Sequence, residues 1–306
     1  MRKHHFLSVL AASAAALFVL SLPPANTSAN APAKSNHHSD RYFSVQDHET
    51  IQKSFSLPAG APKSLEIDNV FGSIEVTGET RNDVQLVVQK TLRAESKDSL
   101  ERARKEVTLD ITQEEGALKL YVNGPFRCHC DDCSDFHRDR DDSYSVKMDF
   151  QVRVPRDIAI KVKTVNEGRV LVRNINGSFL VRNVNGDIEM ENVSGSGTAR
   201  TVNGPIKVSF RQNPRENSEF RTVNGEVELR FAHDLSADFR FKTFNGGIYS
   251  DFPVTALPLH AVSEERHGGK LVLRADRFTG ARIGSGGPEI QAENLNGDIR
   301  ILENHE

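Results

Sequence analysis

Four soft metal-ligand side chains stand close together in the run FRCHCDDCSDFHRDRDDS: Cys128, Cys130, Cys133 and His137. The spacing C-x-C-x2-C-x3-H offers enough thiolate and imidazole for a tetrahedral Zn2+ site, and Asp131, Asp132 and Asp135 add negative charge beside it. The same cysteines support a second reading. In an oxidising compartment two thiols pair and one is left over, although bridging inside so short a loop is geometrically awkward. Zinc and disulfide readings both stand at this point, and a bound ion here would order the loop rather than catalyse.

A second set of chemistry-bearing residues is periodic. Lys163, Arg182, Arg200, Arg221 and Lys242 each directly precede a Thr or Asn in a recurring phrase, as do Arg173 and Glu191. If two units make one turn of a stack, the first five fall on one side. Cations stacked near strand spacing repel unless anions or neighbouring carboxylates compensate. One reading is therefore a groove or ridge for an anionic envelope polymer, glycan or partner protein. The other is a solvated face balanced by Glu189, Glu219, Glu226 and Glu228, with Arg stems covering apolar surface.

Catalytic sets are sparse. Asp187 and Glu189 share a strand, but no neighbouring unit repeats or partners them, as glycan cleavage by paired carboxylates requires. Asp298 and Glu226 look like turn and surface acids. No GxSxG, HExxH or phosphate loop occurs. The glycine-rich GSGGP at 284–288 leads into a strand, so it reads as a backbone corner. His233, His260 and His267 are scattered in loops. A non-catalytic protein is expected, with a glycan-active β-helix enzyme as the alternative.

The elements that must position these residues come from the repeated phrase itself: KTVNEGRV, RNINGSF, RNVNGDI, ENVSGSG, RTVNGPI, RTVNGEV and KTFNGGI, with outlying copies DNVFGSI at Asp68 and ENLNGDI at Glu293. Gly177, Gly186, Gly195 and Gly204 are nine residues apart, and Gly204, Gly225 and Gly246 are twenty-one apart; Gly297 closes the late copy. Between these turns apolar residues alternate with polar ones, as in Phe179 and Val181, Ile188 and Met190, or Phe239 and Phe241. Period two with one apolar side is a half-buried strand, and Asn-Gly corners suit backbone with positive φ. Thr164, Asn174, Asn183, Asn192, Thr201, Thr222 and Thr243 are expected to face inward and bond to copies of themselves in parallel stacking. The fold class is all-β, a β-solenoid resembling a parallel β-helix. An antiparallel meander of Asn-Gly hairpins is the alternative.

The chain before the repeats divides further. Arg2 and Lys3, an apolar run from Phe6 to Leu20 and small residues after it predict a signal peptide over residues 1–29, too short for a membrane span. Residues 30–41 read as a flexible lead. Residues 42–160 read as a β-rich lead-in holding the cysteine loop (123–143), and 161–306 as solenoid repeats. Strands are predicted at Gln52–Leu57, Ser64–Ile67, Ser73–Val76, Val84–Leu92, Val107–Gln113, Leu118–Tyr121 and Tyr144–Val154. A helix is predicted at Ser99–Lys105, capped by Asp98. The lead-in should cover one end of the solenoid and the coil at Leu295–Leu302 the other. Without Arg2 and Lys3 the chain has 37 Lys and Arg against 42 acids, a net charge of −5, which does not point to nucleic acid. No other apolar run approaches membrane length, so a soluble exported protein, periplasmic or at the cell surface, is expected.

The runs LEIDNVFGSIEV, VRVPRDIAIKVKTVNEGRV, the repeated VNG phrases and GARIGSGGPEIQAENLNGDIRI resemble the exported bacterial putative-adhesin family, a domain of unknown function, from about Ser64 to Leu302. The resemblance implies a β-helical envelope domain that binds or scaffolds without established catalytic residues. The cysteine loop is not part of that pattern, and it leaves a metal-responsive accessory role as a further reading.

Overall fold

The structure, a computed structural model, describes residues 43–58, 60–127, 143–258, 263–267, 270–274 and 278–304. The predicted signal peptide, Cys128, Cys130, Cys133, His137 and His260 lie outside the described residues. Ahead of the repeats come β1 (Val45–Ser56), β2 (Ser64–Asp68), β3 (Ile74–Glu79), β4 (Asp83–Ala94), β5 (Thr108–Glu114), β6 (Ala117–Asn123) and β7 (Tyr144–Pro155). Between β4 and β5 lies the helix α1 (Lys97–Glu106). Its cap is Ser96, not Asp98: the Ser96 hydroxyl accepts from the Ser99 amide at 3.1 Å. Asp98 instead sits in the first turn, where a carboxylate meets the positive end of the helix. Leu100 and Ala103 are buried in the common core.

The repeats supply β8 (Ala159–Lys163), β9 (Val170–Arg173), β10 (Phe179–Arg182), β11 (Ile188–Val193), β12 (Gly197–Arg200) and β13 (Ile206–Phe210). They continue with β14 (Ser218–Arg221), β15 (Val227–Phe231), β16 (Ala237–Lys242) and β17 (Ile248–Ser250). The chain ends through β18 (Val254–Leu257), β19 (Ser263–His267), β20 (Lys270–Arg274), β21 (Thr279–Ile283), β22 (Glu289–Glu293) and β23 (Ile299–Glu303). Two long sheets result. One runs β1-β4-β7-β3-β9-β11-β13-β15-β23-β17, the other β18-β21-β16-β22-β14-β12-β10-β8-β2-β6-β5.

Within the stack every pairing is parallel, from β2–β8–β10–β12–β14 on one sheet to β3–β9–β11–β13–β15 on the other. Antiparallel pairs occur at the ends, as in β1–β4–β7 and β16–β21–β18. The fold is therefore a β-solenoid and not a meander. Backbone angles give the reason. A two-residue Asn-Gly hairpin needs positive φ at both residues, and no asparagine of the described Asn-Gly pairs has it.

Each Asn-Gly pair instead turns the chain from one sheet to the other, and its own backbone continues the stacking. The amides of Asn203, Asn224 and Asn296 donate to the carbonyls of Val184, Val202 and Val223 at 2.8, 2.8 and 2.9 Å. The glycine is fixed by proximity more than by handedness. Gly204 has φ +151°, but Gly225 does not fall in the left-handed region. At Gly225 a Cβ would stand 2.1 Å from the Gly204 carbonyl oxygen in the coil below, and at Gly246 1.8 Å from that of Gly297. The positive-φ expectation holds at Gly186, Gly204 and Gly297 and fails at Gly177, Gly195, Gly225 and Gly246, where close approach is the reason for glycine. Gly177 and Gly195 form the matching contact at the other corner, 1.9 Å from a Gly195 Cβ to the Gly177 oxygen.

The order of coils departs from chain order. β22 and β23 lie between β14/β15 and β16/β17, with Glu293 beside both Arg221 and Lys242. The last coil does not close the end, as its sequence position suggested. β2 and β3 form a coil of the same stack, with β6 and β7 beyond them. The interior holds the apolar alternates of both sheets. Phe210 and Phe231 stack at 5.0 Å, Phe239 and Phe241 at 5.3 Å, with Phe220 edge-on to Phe210 at 6.1 Å.

Two outcomes are expected. Gly225→Ala adds only a methyl and no left-handed strain, yet it should lower stability by about 2 to 4 kcal/mol through the clash with the Gly204 carbonyl; an unchanged melting temperature would remove the close-approach account. On β16, Asp238 is opposite Arg282 and accepts from it at 2.7 and 2.8 Å, which holds its carboxyl below the usual range. A depressed carboxyl stabilises above its unfolded value, about 3.9, and that contribution is lost as pH falls through the folded value. The gap in melting temperature between wild type and Asp238→Asn should therefore be open near neutral pH and close in acid below that value.

Candidate anion-binding groove

The phrase that makes a corner also makes a cross-section of three columns: an outward cation, an inward Thr or Asn, and an outward corner residue before the Asn-Gly pair. The inward column is Asn69, Thr164, Asn183, Thr201, Thr222 and Asn294, all buried. These side chains do not bond to one another as expected. Apart from Asn69, which donates to the carbonyls of Phe71, Gly72 and Met148 at 3.1, 3.3 and 2.9 Å, each reaches the corner glycine carbonyl of the coil below: Thr164 to Gly72 at 3.0 Å, Asn183 to Gly168 at 3.0 Å, Thr201 to Gly186 and Thr222 to Gly204 at 2.9 Å. Asn294 and Thr243 do the same to Gly225 and Gly297 at 3.0 and 3.2 Å. Asn174 and Asn192 are not in this column. They adopt left-handed backbone at the opposite corner, with φ 57° and 55°.

The side chains that do bond to copies of themselves are the exposed asparagines of the corner. Asn185 donates to Asn166, Asn203 to Asn185, Asn224 to Asn203, Asn296 to Asn224 and Asn245 to Asn296, at 2.6 to 2.8 Å. The repeated letter was visible in the sequence; which Asn faced out was not.

The cation column is real in register. Lys163, Arg182, Arg200 and Arg221 are Cα partners on successive strands. Asp68 precedes Lys163, and Glu293 separates Arg221 from Lys242. The stretch of adjacent cations is thus four rungs rather than five. Its compensation also differs from the acids expected. Asp68 lies 3.5 Å from Lys163, Glu293 lies 3.7 Å from Arg221 and 2.6 Å from Lys242, and Glu219 pairs with Arg200. Glu189, Glu226 and Glu228 pair elsewhere, with Arg169, Arg300 and Arg230. Asp68 and Glu293 were missed, yet both head copies of the phrase, where every other copy but that of Glu191 carries Lys or Arg; aligning first letters would have found them.

Arg182 is the exception. It is exposed, flanked by cations on both sides, and has no carboxylate partner among the described residues. Next to it the Arg200 Nε is buried without a hydrogen-bond partner among the described residues. At strand spacing, about 4.8 Å, each neighbouring like-charged pair costs on the order of 1 kcal/mol in a water-like dielectric. The column lines a groove of about 370 Å³ whose floor is Thr164, Asn183 and Thr201 and whose other wall is Val184, Val202 and Val223.

A larger polar recess, about 600 Å³, lies by the opposite corner among Asn192, Ser209, Arg211, His233, Asp234 and Asn304. Its charged groups are engaged: Arg211 donates to Ser194 and Asn176, Asp234 accepts from Asn213, and His233 stands 3.4 Å from Glu303. Among the described residues no three His, Cys, Asp or Glu gather as a metal site.

The parallel coils, the glycine corners and the Asn-Gly period meet a family pattern in one stretch. Residues 160–302 match the Toastrack DUF4097 family. The Toastrack match runs from β8 to β23 and so takes in the whole cation column after Asp68. No curated protein matches the chain. Among solved structures, a "putative cell adhesion protein" of Clostridium sporogenes is 7% identical, with 84% of this chain and 100% of that chain covered and a TM-score of 0.38. A "putative adhesin" of Bacteroides fragilis is 11% identical over 84% and 97%, TM-score 0.38. A "Putative lipid binding protein" of Parabacteroides distasonis is 10% identical over the same shares, TM-score 0.28. Among the described residues no helix is long and apolar enough to cross a membrane.

Removing the inward hydroxyl of one rung tests the floor. Thr222→Val keeps the shape but strands the Gly204 carbonyl, so stability should fall by about 1 to 3 kcal/mol. Asn224→Ala, on the exposed ladder, should cost less. Equal losses in chemical denaturation would contradict the burial difference between the two ladders.

Proposed function

We propose that this chain is an exported, non-catalytic envelope protein of the adhesin-like kind. Its repeat-built face holds an anionic envelope polymer, glycan or partner along Lys163, Arg182, Arg200 and Arg221, with Lys242 beyond the Glu293 rung. The observation that carries the reading is Arg182: a cation with cations on both neighbouring rungs and, among the described residues, no carboxylate of its own. A folded protein that needed only a solvated face would gain by placing an acid there, as it does at Asp68 and Glu293. The column does not ask for turnover. It asks for a counter-charge.

The test is binding of the purified mature protein to isolated envelope fractions across a salt series, beside Arg182→Glu/Arg200→Glu/Arg221→Glu. Retention should weaken with salt, since exposed charges are screened, and fall at least about tenfold in the variant. Retention that ignores both changes would move the function off this face.

A further inference from the structure

The groove has a second wall that charge does not explain. In each rung the cation and the corner valine are two residues apart and both point outward, so the columns run side by side, about 7 Å apart, along the solenoid axis. Val184, Val202 and Val223 are joined rung to rung, the Val202 amide donating to Val184 and the Val223 amide to Val202, both at 3.3 Å. Val202 is 38% exposed. The other wall is hydrocarbon at depth as well, because Arg and Lys keep their charge at the rim on aliphatic stems. The floor hydroxyls and amides already donate to glycine carbonyls of the coil below and have little left to offer a ligand. A purely polar chain would meet the rim cations and find the groove below them apolar.

We infer that the ligand is an anionic amphiphile: its acidic group sits at Arg182, between Lys163 and Arg200, and one acyl chain lies along the valine wall. This rests on the proposed anion-binding role and narrows it to one class. The valine wall spans three rungs and so two steps of strand spacing, and the chain-binding length is about 10 Å. Chains longer than that gain nothing further. Charge complementarity places the acid. Asp68 and Glu293 close the column at its two ends and would repel a head group placed there, leaving the middle.

The probes are monomeric alkyl phosphates from butyl to dodecyl, read by calorimetry on the full mature chain, with dodecyl maltoside as the uncharged comparison. Full burial of a methylene would tighten binding about fourfold, and an open groove about half as much on a logarithmic scale, near twofold per methylene. Affinity should rise at that rate and level off. Val184→Thr/Val202→Thr keeps β-branched residues at outward positions, and should flatten the chain-length slope while leaving the melting temperature in place. Arg182→Gln should weaken every alkyl phosphate by a similar factor, about tenfold, and bring dodecyl phosphate down to dodecyl maltoside. Butyl and dodecyl phosphate binding alike, or a slope untouched by the valine changes, would overturn the amphiphile while leaving polyanion binding intact. No binding of alkyl phosphates, together with salt-insensitive envelope retention, would overturn both. Anionic vesicles as a further arm separate a packed lipid surface from a single molecule: retention by vesicles without any monomer binding also counts against the groove.

Discussion

Along one corner, from Gly72 to Gly246, one glycine lies over the next with no room for a side-chain carbon between them, and the rest of the molecule follows from that contact. Backbone pressed so closely must repeat its path in register. That puts like residues above like residues in every column, whether inward, outward or at the bend. The inward Thr or Asn then always finds the same carbonyl to satisfy, one coil down. The exposed asparagines always find each other. Apolar alternates stack into a continuous core, with Phe rings filling the wider coils that carry twenty-one residues. A column of cations is the unfavourable product of the same rule. The geometry that makes asparagines cooperate makes arginines repel.

Strict registry also explains what could be read from the chain alone. Period two, the Asn-Gly spacing and the pairing of units into turns are local and repeated, so strands, corners and the side occupied by Lys163, Arg182, Arg200 and Arg221 were legible. The antiparallel strands of the lead-in were legible from alternation too. What failed was of another kind. Asn174 and Asn192 carry the same letter as their inward counterparts, but the opposite corner bends differently and takes them through left-handed backbone. Letter identity does not record φ. Ser96 rather than Asp98 caps the helix because both are capping residues and only the exact start of the turn distinguishes them.

The larger miss was the place of the final coil. Any copy of the phrase fits on any other, because the contacts between coils are nearly the same throughout; sequence order therefore does not fix spatial order. The one asymmetric letter was Glu293. Set between Arg221 and Lys242, it neutralises two rungs at once, and it breaks what would otherwise be a column of five cations. No such letter stands between Lys163 and Arg221. The charge pattern is uneven along one face, and its uneven part coincides with the groove walled by valines.

That placement of the last coil sets a condition on how the molecule is completed. Among the described residues β17 pairs with β23 alone, and β16 pairs with the main stack through β22. Both precede residues 289–303 in the chain, so the strands they pair with in the stack come after them in sequence. Removing residues 289–303 would take from β17 its strand partner and from β16 its parallel one. The place of β16 and β17 in the stack is thus held by residues that follow them in the chain, and the stack is interlocked where a purely sequential one would only be piled up.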